Sequence, residues 1–185
     1  VGFMGPHDPY DAPAEYVQLY DQADIPMPHS TEQVDDSALS RLRTSVRNME
    51  EEQELITLRE SLATPERLAQ MRRRYYANVT LIDEKIGQII QVMQKRELYK
   101  NTIFIFTSDH GDNLYDHSLF YKGEFYDQVV NIPLIVAGPG IPARGRDSVT
   151  LTSHMDVAQY ILDIAGAKRE DLEGVSLRPA LEQNR

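Results

Sequence analysis

Apolar residues recur three or four positions apart from Leu68 through Met71, Tyr75, Val79, Ile82, Ile86 and Ile89 to Met93. That is the period of a helix that buries one face. Thr64-Pro65 supplies a cap and a first-turn proline, so the helix is predicted to start there and to run to about Leu98. Lys100-Asn101 then turns the chain into Thr102–Thr107, where the unbroken run Ile103, Phe104, Ile105, Phe106 predicts a strand buried on both faces. A second strand is predicted from Ile132 to Ala137, with Pro133 near its start and Gly138-Pro139-Gly140 as its closing turn. Ser153 and Asp156 have capping-box spacing, followed by the packing face Val157, Ile161, Leu162, Ala165 and a terminating Gly166. Helix then apolar strand is the rhythm of an α/β protein with a largely parallel central sheet flanked by helices. Pro6, Pro9, Pro13, Pro26 and Pro28 make residues 1 to 30 an extended surface loop, with Val1–Met4 as the expected end of a buried strand. Between Asp36 and Ala63 a polar stretch containing Glu50-Glu51-Glu52 reads as a partly exposed helix with a solvated acidic face.

Composition narrows the classes. With 41% hydrophobic and 26% charged residues, the 185-residue chain has enough apolar material for a core. A net charge of -10 disfavours nucleic acid and anionic lipid as partners. No apolar run approaches the roughly 18 residues of a membrane-spanning helix. There is no cysteine, so disulfides, thiolate metal sites and cysteine nucleophiles are excluded from this stretch, and any metal must be held by O and N donors. The chain opens on Val1 without the basic and apolar regions of a signal peptide, and it reads as a piece of something larger.

Ligands of open α/β sheets gather beyond the carboxyl ends of the strands. The first predicted strand leads directly into Thr107-Ser108-Asp109-His110-Gly111-Asp112. In a regular strand Asp109 and His110 would point to opposite faces, so they can share one ion only on irregular backbone, which Gly111 permits. A carboxylate with an imidazole suits a hard or intermediate divalent ion. Taken as an isolated pair, the same two residues also suit a turn cap and a backbone-bonded imidazole.

The longer string TSDHGDNLYDHSLFYKGEFYDQVVNIPLIVAGPG resembles the sulfatase family of the alkaline phosphatase superfamily, whose segment reads S-D-[HN]-G, L-G-x-H, K-G and V-P-L-I-V-x-G-P. GFMGPHDPYDAPAEYVQLY is similar to the family's P-H-x-P-[YF] segment, and YYANVTLIDEKIGQII to its Y-x-A-x-[VI] helix. SHMDVAQYILDIAG and LEGVSLRPAL resemble two later elements, so the likeness covers nearly the whole chain. The resemblance implies an alkaline-phosphatase-like sulfatase fold, incomplete here, with residues 1–185 forming part of the catalytic α/β domain. It implies that Asp109 and His110 ligate a divalent metal, usually calcium in this family. Lys122 would contact a sulfate oxygen, and His7 would lie near the leaving-group oxygen, so both are candidate catalytic and substrate-binding residues. His117 occupies the L-G-x-H histidine position and is a candidate substrate contact, although Tyr115 stands where the family has glycine.

Asp83 and Asp156 match family positions at structural sites, Gln159-Tyr160 replaces Pro-Thr, and His29 and His154 are read as loop and cap residues. The family's formylglycine, made within C/S-x-P-S-R, belongs upstream of P-H-x-P, and the motif is absent from this sequence. The family's smaller C-terminal sheet is also missing. The implied function is sulfuric ester hydrolysis with half of the active site on this chain, which alone would not turn over. The alternatives are a phosphonate monoester or phosphodiester hydrolase of the same superfamily, and a non-catalytic remnant. Relatives are often secreted, periplasmic or lysosomal, and neither location nor oligomeric state is encoded in a motif here.

Overall fold

The computed structural model describes residues 1–29, 61, 63–142, 151–167, 169 and 171–182. Most of the helix predicted between Asp36 and Ala63 therefore lies outside the described residues. The chain divides into one unit of residues 1–95 and 107–133, and a second of 96–106 and 134–185.

In the first unit the proline-rich start is loop except for a short helix α1 (Ala14–Gln18). Val1–Met4 form no strand, and Val1 and Met4 lie open to solvent, because no described strand pairs with them. The long helix α2 spans Pro65–Lys95. Its start matches the prediction, with the Thr64 hydroxyl accepting the Arg67 N–H at 3.4 Å. It ends before Leu98, since Glu97 takes φ 58° and Tyr99–Asn101 form a 3-10 turn.

Leu68 is buried and most of the predicted stripe is half-buried, but Val79 is exposed. The other fully buried α2 positions are Arg72, Ala77 and Asn78, so a polar row accompanies the apolar one. Tyr16 and Tyr20 anchor the α1 region on α2 through hydroxyl contacts to Glu84 at 2.7 Å and Thr80 at 2.6 Å. A further short helix, α3, covers Asp127–Val130.

In the second unit β1 (Phe104–Thr107) pairs with β2 (Leu134–Ala137) in a two-stranded sheet. Helix α4 (His154–Ile164) and helix α5 (Arg178–Glu182) follow. Ile103, Ile105, Leu134 and Val136 pack on the buried cluster Val157, Tyr160 and Leu177. Strand alternation sends the intervening residues the other way. Phe106 is 38% and Ile135 59% exposed, so among the described residues the strands are buried on one face and not on both. Gly138 is required by contact as well as by its φ of 145°, since a Cβ there would lie 2.6 Å from the Thr102 carbonyl oxygen. No helix among the described residues is long and apolar enough to cross a membrane.

The capping box is formed as predicted. The Ser153 N–H donates to Asp156 Oδ2 at 2.6 Å, the Val175 N–H donates to Oδ1 at 2.8 Å, and Gly166 closes the helix at φ 69°. Ser153→Ala is expected to lower stability by about 1 kcal/mol in urea unfolding. The N–H of Val175, then the N–H and hydroxyl of Ser153, hold the Asp156 carboxyl below its ordinary value. That contribution is present above the ordinary carboxylate range and is lost as pH falls through the depressed value. The difference between Ser153→Ala and the native protein should therefore shrink in acid.

Candidate active site

The first unit brings together four residues from distant parts of the sequence. His7 is carried by the proline-rich loop, Asp109 and His110 by the turn after β1, and Lys122 by the loop before α3. Lys122 Nζ lies 3.0 Å from His7 Nε2. An ammonium only donates, so Nε2 accepts. The other ring nitrogen, Nδ1, then carries the proton and donates to the Asp8 carbonyl oxygen at 2.9 Å, with Asp8 Oδ1 also at 2.9 Å. The rings of His7 and His110 meet edge-on with centroids 6.4 Å apart.

Gly111 makes the Asp109-His110 geometry possible, because a Cβ at this position would fall 2.0 Å from the Gln128 carbonyl oxygen. The Gly111 N–H donates to Val129 O at 2.8 Å, closing the turn against α3. His110 Nδ1 donates to the Gly111 carbonyl oxygen at 2.7 Å, which leaves the Nε2 lone pair facing outward, 3.6 Å from Asp109 Oδ2. A backbone-bonded Nδ1–H is how metal-ligating imidazoles are oriented.

Burial pulls the Asp109 carboxyl up, but the His110 N–H, the nearby His110 ring, the residue's own N–H and the charge of Lys122 outweigh it and hold the group below its ordinary range. Its side chain is 86% exposed and that of His110 30%, so the carboxylate is open to solvent and the imidazole only partly so. These two donors fit part of a hard divalent site. Among the described residues no cluster of three or more His, Asp or Glu completes it.

His117 stands apart. Its ring stacks on Tyr126 at 4.0 Å and its N–H donates to His29 O at 3.2 Å, and among the described residues no contact joins it to the four. Tyr115 keeps a glycine-like backbone, φ 72°, within a run in which Leu114, His117, Ser118 and Tyr121 are also left-handed. Such residues cost about 1–3 kcal/mol each and persist only where their surroundings enforce them. Here Tyr115 N–H bonds Leu119 O at 2.8 Å and the ring packs on Phe120 at 4.9 Å. Tyr115 thus holds a left-handed conformation that glycine adopts without strain.

Sequence reasoning passed over two supports of this loop. Arg72 and Asp116 form an ion pair with side chains 7% and 8% exposed. Asp112 is half-buried and accepts the Tyr10 hydroxyl at 2.8 Å. Asp112 and Tyr10 sit within or beside the motifs, but no local signal pairs residues so far apart.

This arrangement offers a cation, an oriented imidazole and an adjacent carboxylate–imidazole pair, groups that can grip an anionic tetrahedral group. The chain belongs to the sulfatase family, whose model matches residues 1–167. It is 34% identical to a choline-sulfatase of Rhizobium meliloti, over 97% of this chain and 34% of the relative. It is 28% identical to an arylsulfatase of Clostridium perfringens, over 99% of this chain and 37% of the relative. Among solved structures, the phosphonate monoester hydrolase of Silicibacter pomeroyi matches 96% of this chain and 35% of its own, with TM-score 0.77 and 28% identity. The chain spans about a third of the length of the curated relatives it matches over nearly its whole length.

Proposed function

We propose that the complete protein containing this chain hydrolyses sulfate esters, and that this chain contributes the cationic clamp, the leaving-group histidine and part of a metal site. The observation that carries the reading is the 3.0 Å approach of Lys122 to His7 beside the Asp109-His110 pair. The sulfatase relatives support the ester, and the β1–β2 pair is read as part of a larger, largely parallel sheet of the alkaline-phosphatase-like kind.

In this reading Lys122 gives its proton-bearing ammonium to an equatorial sulfate oxygen and holds charge that grows as the ester bond breaks. Release of Lys122 from His7 frees Nε2 to meet the bridging oxygen, while Asp8 keeps the Nδ1 side oriented. Once Nε2 takes up a proton from solvent, with Nδ1–H still donating to Asp8, the imidazolium can give the Nε2 proton to the departing alkoxide and return to the neutral ring. Asp109 and His110 would hold a divalent ion, calcium by family resemblance, which when bound supplies charge neutralisation to the anionic group. The nucleophile, formylglycine by the same resemblance, is not among the residues of this chain. His117, at the L-G-x-H position, is read as a further substrate contact.

A second reading, phosphonate monoester or phosphodiester hydrolysis, is favoured by the likeness to the Silicibacter pomeroyi enzyme. Both chemistries need the same clamp, so turnover of matched nitrophenyl substrates by the complete protein separates them. Faster hydrolysis of the sulfate is expected. Cleavage of the phosphorus ester alone would replace the first reading by the second, and loss of both would leave a fold without chemistry.

A further inference from the structure

The residues of the clamp arrive on three chain segments, and one half-buried residue with its neighbour links them. Asp112 lies just after the Asp109-His110 turn. Its Oδ2 accepts the hydroxyl of Tyr10, which follows His7 on the proline-rich loop, at 2.8 Å. Its Oδ1 accepts the Leu114 N–H at 2.9 Å, and the next residue, Asn113, donates its backbone N–H to the carbonyl oxygen of Tyr121, the residue before Lys122, at 2.8 Å. We propose that Asp112 is a positioning residue whose carboxylate, held by Tyr10 and Leu114, keeps His7 and the Asp109-His110 pair in mutual register, with the Lys122 segment tied in through the neighbouring Asn113–Tyr121 bonds. The proposal rests on the site reading above and adds to it a residue that touches none of the reacting atoms.

Two features fit this role. A carboxylate has acceptor sites for several donors at once, where an amide of the same shape offers a single oxygen. Tyr10 is fixed from its other side by Tyr75, whose ring meets it edge-on at 5.9 Å, so the hydroxyl is aimed by packing on α2. Burial first, then the charge and hydrogen bond of Asp112, push the Tyr10 hydroxyl above the ordinary phenol range, so it stays a donor. Tyr10 in turn holds a loop that carries two of the residues around His7, namely Asp8 and Pro6.

The test compares Tyr10→Phe and Asp112→Asn with Tyr16→Phe in the complete protein. Tyr16 makes the same kind of bond, to Glu84 at 2.7 Å, at an exposed place that involves none of the four site residues. Steady-state kinetics are read on a nitrophenyl sulfate and on an alkyl sulfate, and the ring nitrogens of His7 are followed by nitrogen-15 spectroscopy. Tyr10→Phe is expected to lower kcat by about 10- to 100-fold with KM nearly unchanged, because a small misplacement acts on the reacting step more than on binding. The loss should be larger on the alkyl sulfate, whose leaving oxygen most needs His7. The native His7 spectrum should show a proton fixed on Nδ1, and Tyr10→Phe should mix the two tautomers while Tyr16→Phe does not.

Tyr10→Phe that matches Tyr16→Phe in both kcat and spectrum would overturn the proposal. If the native protein hydrolyses neither substrate, the functional reading fails, and the His7 spectrum alone decides the positioning role. Where Asp112→Asn does not fold, Tyr10→Phe carries the decision.

Discussion

Lys122→Ala in the complete protein should reduce sulfate ester turnover by about 100- to 1000-fold, the range seen when one fixed donor to a developing anion is removed. The ammonium is 3.0 Å from His7 Nε2 and acts electrostatically on Asp109, so it already lies where two candidate functional groups converge. Stability should change little, because Lys122 is exposed. The loss should fall on kcat at least as much as on KM, since the charge it meets grows toward the transition state. Lys122→Arg restores the charge but brings a planar fork in place of a point donor, so only partial recovery is expected. Native-like kcat and KM in Lys122→Ala would return Lys122 to a solvated surface lysine and remove the main support for the clamp.

Much of this site was legible because its residues sit in local patterns. The capping box at Ser153 and Asp156, the start of α2 at Thr64-Pro65, and the turn after β1 each depend on neighbours within a few positions, and all three form where the sequence places them. The strands were located to within a couple of residues, but their burial was misread. An apolar run announces what it could bury and not which partners cover it, and Phe106 and Ile135 lack cover among the described residues. Val1–Met4 failed as a strand for the same reason.

His117 marks a different limit. Its spacing in the motif suggests a substrate contact, and only the fold shows that its ring also stacks on Tyr126. The Tyr10–Asp112 bond spans 102 positions, and only folding brings its two partners into contact. α2 carried the strongest periodic signal, yet hid its most consequential residue, because an arginine beside an apolar stripe reads as solvent-facing until its partners are known.

That residue gives the largest expected effect on stability. Arg72 donates from Nε to Leu114 O at 3.2 Å, from Nη1 to Pro26 O at 3.0 Å, and from Nη2 to Asp116 Oδ1 at 2.5 Å. Asp116 Oδ1 also accepts the His29 N–H at 3.0 Å, so one guanidinium joins α2 to both loops of the candidate site. Arg72→Met would leave a buried carboxylate with one neutral donor and two carbonyls without this partner. Breaking a buried pair from one side costs about 3–5 kcal/mol, and this is the loss expected in urea unfolding. Arg72→Lys should recover only part of it, because one ammonium cannot meet three acceptors spread around a planar fork. The double variant Arg72→Met, Asp116→Leu should be more stable than Arg72→Met alone, since the unpaired charge is gone. Because the left-handed run Leu114–Tyr121 leads straight into Lys122, the single variant should also lose turnover at temperatures where it remains folded. A cost below about 1 kcal/mol for Arg72→Met, the scale of a surface pair, would mean that water reaches Asp116 and that the loop is held by its backbone bonds instead.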